Sequence, residues 1–352
     1  MLRTDSSGGP FGVMSTDFPL HNPPKDGVTA MRFGTDGRSL LVSSWDSSLR
    51  VYDVDANVVQ ARLLQPCPLL DCDFLSDGRH AVSAGLDGAV RLHGVGSGGE
   101  QLLGHHDGAA RCVRNCASLN GTVVSGSWDH TVKMWDVRSQ EPCVGTYRQS
   151  DKVLSLCTGC ASAAGGSGAP LLVVATAGRH VLILDLRKPS EPVQPRESSL
   201  KCQTRCVAQM PSGAGYAQGS VEGRVAVEYF DASEESQKRR YAFKCHRSNV
   251  DGVGTAFPVN AISFHPVFGT FATGGSDGHV CVWDGEQKKR ISQLRAYPCA
   301  VAALSFSPSG ERLAIAASYT WENGDREHPP DAIHVRQVAV ADVKPKLKTV
   351  VK

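Results

Sequence analysis

Nothing in this sequence approaches the run of about 18 apolar residues that a membrane-spanning helix needs, so no such helix is expected. The opening Met1-Leu2-Arg3-Thr4-Asp5-Ser6-Ser7-Gly8 lacks the apolar core of a secretory signal. Charge of one sign is also missing. The 37 Lys and Arg are balanced by 35 Asp and Glu, and a net charge of +2 does not call for nucleic acid as a partner. Two phrases of common enzymes are absent: there is no G-x-x-x-x-G-K-[ST] and no H-E-x-x-H. Gly96-Ser97-Gly98-Gly99 reads as a turn and not as a phosphate cradle. The expectation is therefore a protein that is not an enzyme, although fold alone does not exclude catalysis. The 12 cysteines have no disulfide-framework spacing, which predicts reduced thiols in the cytosol or nucleus. Cys157-Thr158-Gly159-Cys160 is the single C-x-x-C. With no partner pair at fitting spacing it predicts buried thiols, like Cys112 and Cys116, with no metal and no cofactor.

What is present is a repeated phrase. Ser44-Trp45-Asp46-Ser47-Ser48-Leu49-Arg50-Val51-Tyr52-Asp53 returns as Ser127-Trp128-Asp129-His130-Thr131-Val132-Lys133-Met134-Trp135-Asp136 and as Gly275-Ser276-Asp277-Gly278-His279-Val280-Cys281-Val282-Trp283-Asp284. A weaker copy surrounds Asp87. Each copy reads strand, tight turn, strand, with Asp opening the turn and apolar–polar alternation leaving it. The turn Asp residues at 46, 87 and 129 are 41 and 42 residues apart. Looser copies end at Asp185, where the turn Asp is lost, and at Val227, where Glu222 replaces it; the last surrounds Ile333-His334-Val335-Arg336. A second register agrees: Phe33 to Phe74 is 41 residues and Phe264 to Phe306 is 42. Repeats of roughly 40–45 residues with a Trp-Asp dipeptide predict four-stranded blades, and seven units predict an all-β, seven-bladed propeller.

The chain so read resembles the WD-repeat β-propellers over residues 11–340. The resemblance implies that residues 11–22 run along the outside of the last blade and close the ring. Residues 1–10 are expected to be disordered, and 341–352 to form a basic, solvated tail. Three insertions stand out: Gly159–Ala169, Asp231–Arg240 and Tyr319–Ala332. His106, Ser125, Asp129 and Trp135 match the positions at which that family links loop His, strand Ser or Thr, turn Asp and strand Trp. His246, Thr273, Asp277 and Trp283 form the second such set. Both are read as structural, because a buried His or Trp N–H needs an acceptor, which the turn Asp is expected to supply.

Stretches outside the blade pattern narrow the resemblance. Arg196–Cys206, Glu222–Tyr229, Tyr241–Arg247, Thr273–Gly278 and Glu327–Ile333 together resemble the propellers of the spindle assembly checkpoint. The messenger-RNA-export propellers of the nuclear pore are the alternative branch. The checkpoint resemblance implies a monomeric propeller working within a complex, in the nucleus and cytoplasm and at the kinetochore in mitosis. Its partners would be a short peptide motif of a checkpoint kinase and of its pseudokinase-like relative, held on the top face, where Trp45 and Trp128 match the family's aromatics. It also implies recognition of phosphothreonine motifs on a kinetochore scaffold by Arg224 and Lys244, expected at strand ends in adjacent units. The export branch implies a nucleoporin peptide and RNA. The only basic–aromatic hint of that is Lys238-Arg239-Arg240-Tyr241 with Lys288-Lys289-Arg290.

Overall fold

The computed structural model describes residues 17–160 and 168–346. It contains seven four-stranded antiparallel sheets arranged as the blades of a propeller. The first blade is Val28–Phe33, Ser39–Ser44, Ser48–Asp53 and Val58–Leu64, running from the central channel outward. The second to sixth repeat that order, and the inner strand of each packs against those of its neighbours. The seventh takes Val301–Phe306, Arg312–Ala317 and Ala332–Gln337 from the end of the chain and its outer strand, Asp17–Pro19, from the beginning. Asp17 pairs with Arg336 and Pro19 with His334, so the last blade is completed by the opposite end of the chain. That pairing removes the open edge at which a ring would otherwise unzip. Residues 1–16 lie outside the described residues, as do 161–167 of the Gly/Ala/Ser-rich insertion and 347–352 of the tail.

Burial follows position in the blade. The second strands are buried from their second residue on, and Thr122–Ser127 along its whole length, because each blade is sandwiched between two others. The outer strand Val58–Leu64 alternates exposed and half-buried residues. The apolar core is divided into seven clusters, one in each gap between neighbouring blades. Tyr52 and Val42 of the first blade, for example, pack on Ala303, Ala314 and Ile333 of the seventh.

The turn after each second strand shares one conformation in six blades. Ser47, Gly88, His130, Arg179, Gly223 and Gly278 are all left-handed, with φ between 61° and 81°. Blade four keeps this turn although it has lost the turn Asp. At Gly223 a side chain is impossible for a second reason, since a Cβ there would collide with the His246 carbonyl.

Three elements differ from the sequence reading. Asp231–Arg240 contains a short helix, Glu234–Lys238, capped by Ser233. Arg247–Val250 and Val253–Ala256 form an additional exposed hairpin, whose Asp251-Gly252 turn is the strongest hairpin dipeptide and was not read as one. The tail is docked rather than solvated as far as residue 346: Val343 is buried against the sixth and seventh blades, and its carbonyl accepts a hydrogen bond from Thr270 Oγ1 at 2.8 Å.

Candidate functional site: a ring of bulged residues at the channel mouth

All seven inner strands carry the same irregularity. The pairing register slips across the second residue of each: between Val28 and Ala30, Leu69 and Asp71, Ala110 and Cys112, Val153 and Ser155, Thr204 and Cys206, Val259 and Ala261, and Val301 and Ala303. A bulge re-aims the side chain it carries. The bulged residues are Thr29, Leu70, Arg111, Leu154, Arg205, Asn260 and Ala302, and all seven line one cavity of about 620 Å³ at the mouth of the channel. Each blade therefore contributes one side chain to a common floor, two of them guanidinium groups.

Aromatic residues form the wall. Trp45 and Trp128 both line this cavity, at 41% and 36% exposure, whereas the structural Trp135 is only 1% exposed. Their backbones are tied down. Trp45 N–H donates to the Gly27 carbonyl and Trp128 N–H to that of Ala109, as Leu86 N–H does to that of Pro68 at the same place in the second blade. The Tyr319–Ala332 insertion adds Tyr319 and Trp321, the latter 58% exposed. Glu322 in the same insertion lies 3.6 Å from Arg205 and accepts a 2.6 Å hydrogen bond from Ser276, which holds the insertion over the cavity. Sequence reasoning placed Trp45 and Trp128 but not Trp321, Arg111 or the rest of the floor. A Trp inside an otherwise polar excursion was the available signal.

Arg224 and Lys244 lie in the same blade, not in adjacent units as expected. They sit on the third and fourth strands of blade five and face each other across the pairing. The helix-bearing insertion explains the difference: it lengthens the connection between these strands, so Lys244 falls on the outer strand of the same sheet. Residues directly opposite in such a pair have Cβ atoms about 5 Å apart, so two cations share one patch. Lys244 is exposed, and Arg224 is half-buried with its Nε lacking a hydrogen-bond partner among the described residues.

Comparison with known proteins agrees with this architecture. The WD domain, G-beta repeat model matches residues 13–53, 100–136 and 238–284. A mitotic checkpoint protein of Arabidopsis thaliana, BUB3.1, is 50% identical over 94% of this chain and 95% of its own length. The chain belongs to the BUB3 family of WD-repeat propellers. The mitotic checkpoint protein bub3 of Dictyostelium discoideum is 39% identical to it over 92% of this chain and 95% of its own length. The Poly(A)+ RNA export protein of Schizosaccharomyces pombe is 32% identical, over 98% and 97%.

In this BUB3-family propeller the two His sets are buried relays. Trp135 Nε1 donates to Ser125 Oγ at 2.8 Å, and Ser125 Oγ lies 2.7 Å from His106 Nε2. His106 Nδ1 lies 2.8 Å from Thr131 Oγ1, which donates to Asp129 Oδ1 at 2.6 Å. With the ring proton on Nδ1, each donor in the chain has an acceptor. In blade six Trp283 Nε1 donates to Thr273 Oγ1, which lies 2.9 Å from His246 Nε2, while His246 Nδ1 reaches Asp277 directly at 2.9 Å. The indole N–H thus goes to the hydroxyl in both blades, and not to the turn Asp. Ser125 is fully buried, so this His–Ser–Asp set has no access to a substrate. Blades one and two use Arg where these blades use His: Arg50 bonds Asp46 at 2.8 Å and Arg91 bonds Asp87 at 2.6 Å.

Asp129 accepts from Thr131 N–H, Thr131 Oγ1 and Asp107 N–H. Asp129→Ala is expected to cost about 1–3 kcal/mol of unfolding free energy by orphaning these donors. Chemical denaturation checks this, and unchanged stability would contradict the structural role.

Burial holds His93 and His106 at about 4, well below the ordinary imidazole value. The unfolded imidazoles take a proton near pH 6.5 and the folded ones only near 4, so acid favours the unfolded chain between those values. Each histidine is expected to remove up to about 3 kcal/mol across that window. His93→Gln should flatten the fall in stability between pH 7 and 4.5, measured by urea unfolding. A slope unchanged by the substitution would assign the acid sensitivity elsewhere.

The thiols follow the same logic. Burial pushes Cys72, Cys112, Cys116 and Cys157 up to about 12, keeping them protonated. The side chain of Cys160, the other half of the C-x-x-C, lies outside the described residues.

Proposed function

We propose that this chain is a non-enzymatic adaptor of the spindle assembly checkpoint. The carrying observation is the channel-mouth cavity, where seven bulged side chains and three indoles from separate parts of the chain converge. Its mixture of Trp45, Trp128, Leu70 and Leu154 with Arg111 and Arg205 suits an extended peptide with apolar anchors and acidic side chains. The occupant is a short motif of a checkpoint kinase and of its pseudokinase-like relative. Arg224 and Lys244, paired across one blade, would clamp a phosphothreonine of a kinetochore scaffold with charge-assisted bonds. One ring holding a constitutive and a phosphorylation-gated peptide would carry the kinase to phosphorylated kinetochores, in the nucleus and on mitotic chromosomes.

The test is affinity capture of the tagged chain from cells arrested with unattached chromosomes, with and without phosphatase. Recovery of a checkpoint kinase and a kinetochore scaffold, the scaffold alone being lost after phosphatase, is the expected result. Recovery of a nucleoporin and RNA instead would move the chain to the export branch, to which its relative in S. pombe belongs by name.

A further inference from the structure

Three basic segments far apart in the sequence meet at one edge of the folded chain. Tyr241 OH donates to the Gly285 carbonyl at 2.9 Å, and Lys288 Nζ sits 4.7 Å from the centre of the Tyr241 ring. These contacts join Lys238-Arg239-Arg240 of blade five to Lys288-Lys289-Arg290 of blade six. The docked tail then reaches the same turn: Ser292 Oγ donates to the Asp342 carbonyl at 2.9 Å, and Gln287 Nε2 bonds the Lys346 carbonyl. The tail adds Lys344 and Lys346. All eight cations are exposed. Lys238 pairs with Glu234 at 2.6 Å and Arg240 lies 3.6 Å from Glu228. The other six have no carboxylate within ion-pair distance among the described residues. Glu234, Glu235 and Glu286 lie within the same segments, so the eight cations leave a surplus of five positive charges, which a net charge of +2 over the whole chain conceals.

The edge lies away from the phosphate clamp. Tyr241 pairs with Val227 at one end of the outer strand of blade five, and Lys244 with Arg224 at the other, about 10 Å along.

We propose that this edge binds the phosphate backbone of duplex nucleic acid without reading sequence. Single-strand binding relies on aromatic faces that stack bases. Here the Tyr241 face is covered by Lys288, and that of Tyr229 by Arg239, 4.4 Å from its centre. A peptide of the kind proposed for the channel mouth binds through apolar anchors, and residues 234–241, 285–290 and 344–346 expose no large apolar side chain to receive or frame one. Clustered, solvated cations are what a phosphate backbone requires, through release of its counterions.

The experiment is fluorescence anisotropy of a labelled, short mixed-sequence DNA duplex with the full chain over a salt series. Single-stranded RNA of equal length and polyglutamate serve as competitors. Saturable duplex binding that weakens steeply with salt is expected. Lys288→Glu, Lys289→Glu and Lys346→Glu together should weaken it at least about tenfold and flatten the log–log salt slope by about one per cation. Arg79→Glu, an exposed reversal on blade two, should change neither. Thermal melting shows whether the triple variant is folded, and Lys289→Glu alone, at an exposed outer-strand position, repeats the test if it is not. No saturable binding, equal binding by the folded reversed chain, or tighter competition by RNA or polyglutamate would each overturn the proposal.

Discussion

Replacing Arg224 and Lys244 together by alanine is expected to abolish binding of a phosphothreonine peptide and to leave thermal melting unchanged or slightly higher. The two cations face each other in an antiparallel pair, an arrangement that costs stability when like charges sit directly opposite. Neither repays that cost within the fold. Lys244 is exposed with no ion-pair partner among the described residues, and Arg224 Nε is buried without a hydrogen bond. A dianionic phosphate between them would form charge-assisted bonds worth about 1.5–3 kcal/mol each. Loss of both predicts a weakening of at least a hundredfold, or about 3–6 kcal/mol. Calorimetric titration with phosphorylated and unphosphorylated forms of one peptide measures this. A double variant that still prefers the phosphorylated form would remove these residues from the site.

The second large effect belongs to Trp128. Trp128→Ala is expected to weaken binding of the kinase-derived peptide by about 2 kcal/mol or more, as loss of a hot-spot aromatic does. The indole lines the cavity with more than a third of its surface exposed, so an occupant has much left to cover. Trp128→Leu separates anchoring from packing. The second blade carries Leu86 at the same place, with the same backbone hydrogen bond, so the turn accepts leucine. The leucine variant should melt like the parent and bind with intermediate strength. An effect of the alanine variant below about 0.5 kcal/mol would make Trp128 a packing residue.

The blades were legible because a repeat writes local geometry many times over. The turn Asp, the alternation after it and the 41–42-residue step describe a hairpin, and a hairpin that recurs predicts its neighbours. The relays were legible for a similar reason: a Ser or Thr, an Asp and a Trp recur at the same offsets in two units, each after a loop His, although the hairpin after His246 lengthens its distance to Thr273. Their wiring was not, since the choice between the Ser125 hydroxyl and the Asp129 carboxylate as acceptor for the indole depends on side-chain positions that spacing leaves open. Blade five was misread where an insertion broke the period, and Arg224 and Lys244 were assigned to different units.

By itself the sequence determined the all-β class, the count of seven blades, the turn chemistry and two of the cavity's three indoles. All of these follow from interactions within one repeat or between adjacent ones. Only the tertiary structure decided which residues share a surface. Ring closure sets Thr29 beside Ala302 at the channel mouth, although 273 positions separate them. The bulges that aim one side chain per blade into that mouth leave no mark on an alternating pattern, because inward and outward residues still alternate on either side of the slip. The basic edge is likewise made by contacts from Tyr241 and Gln287 to distant backbone, and charge is additive along a chain but not over a folded surface.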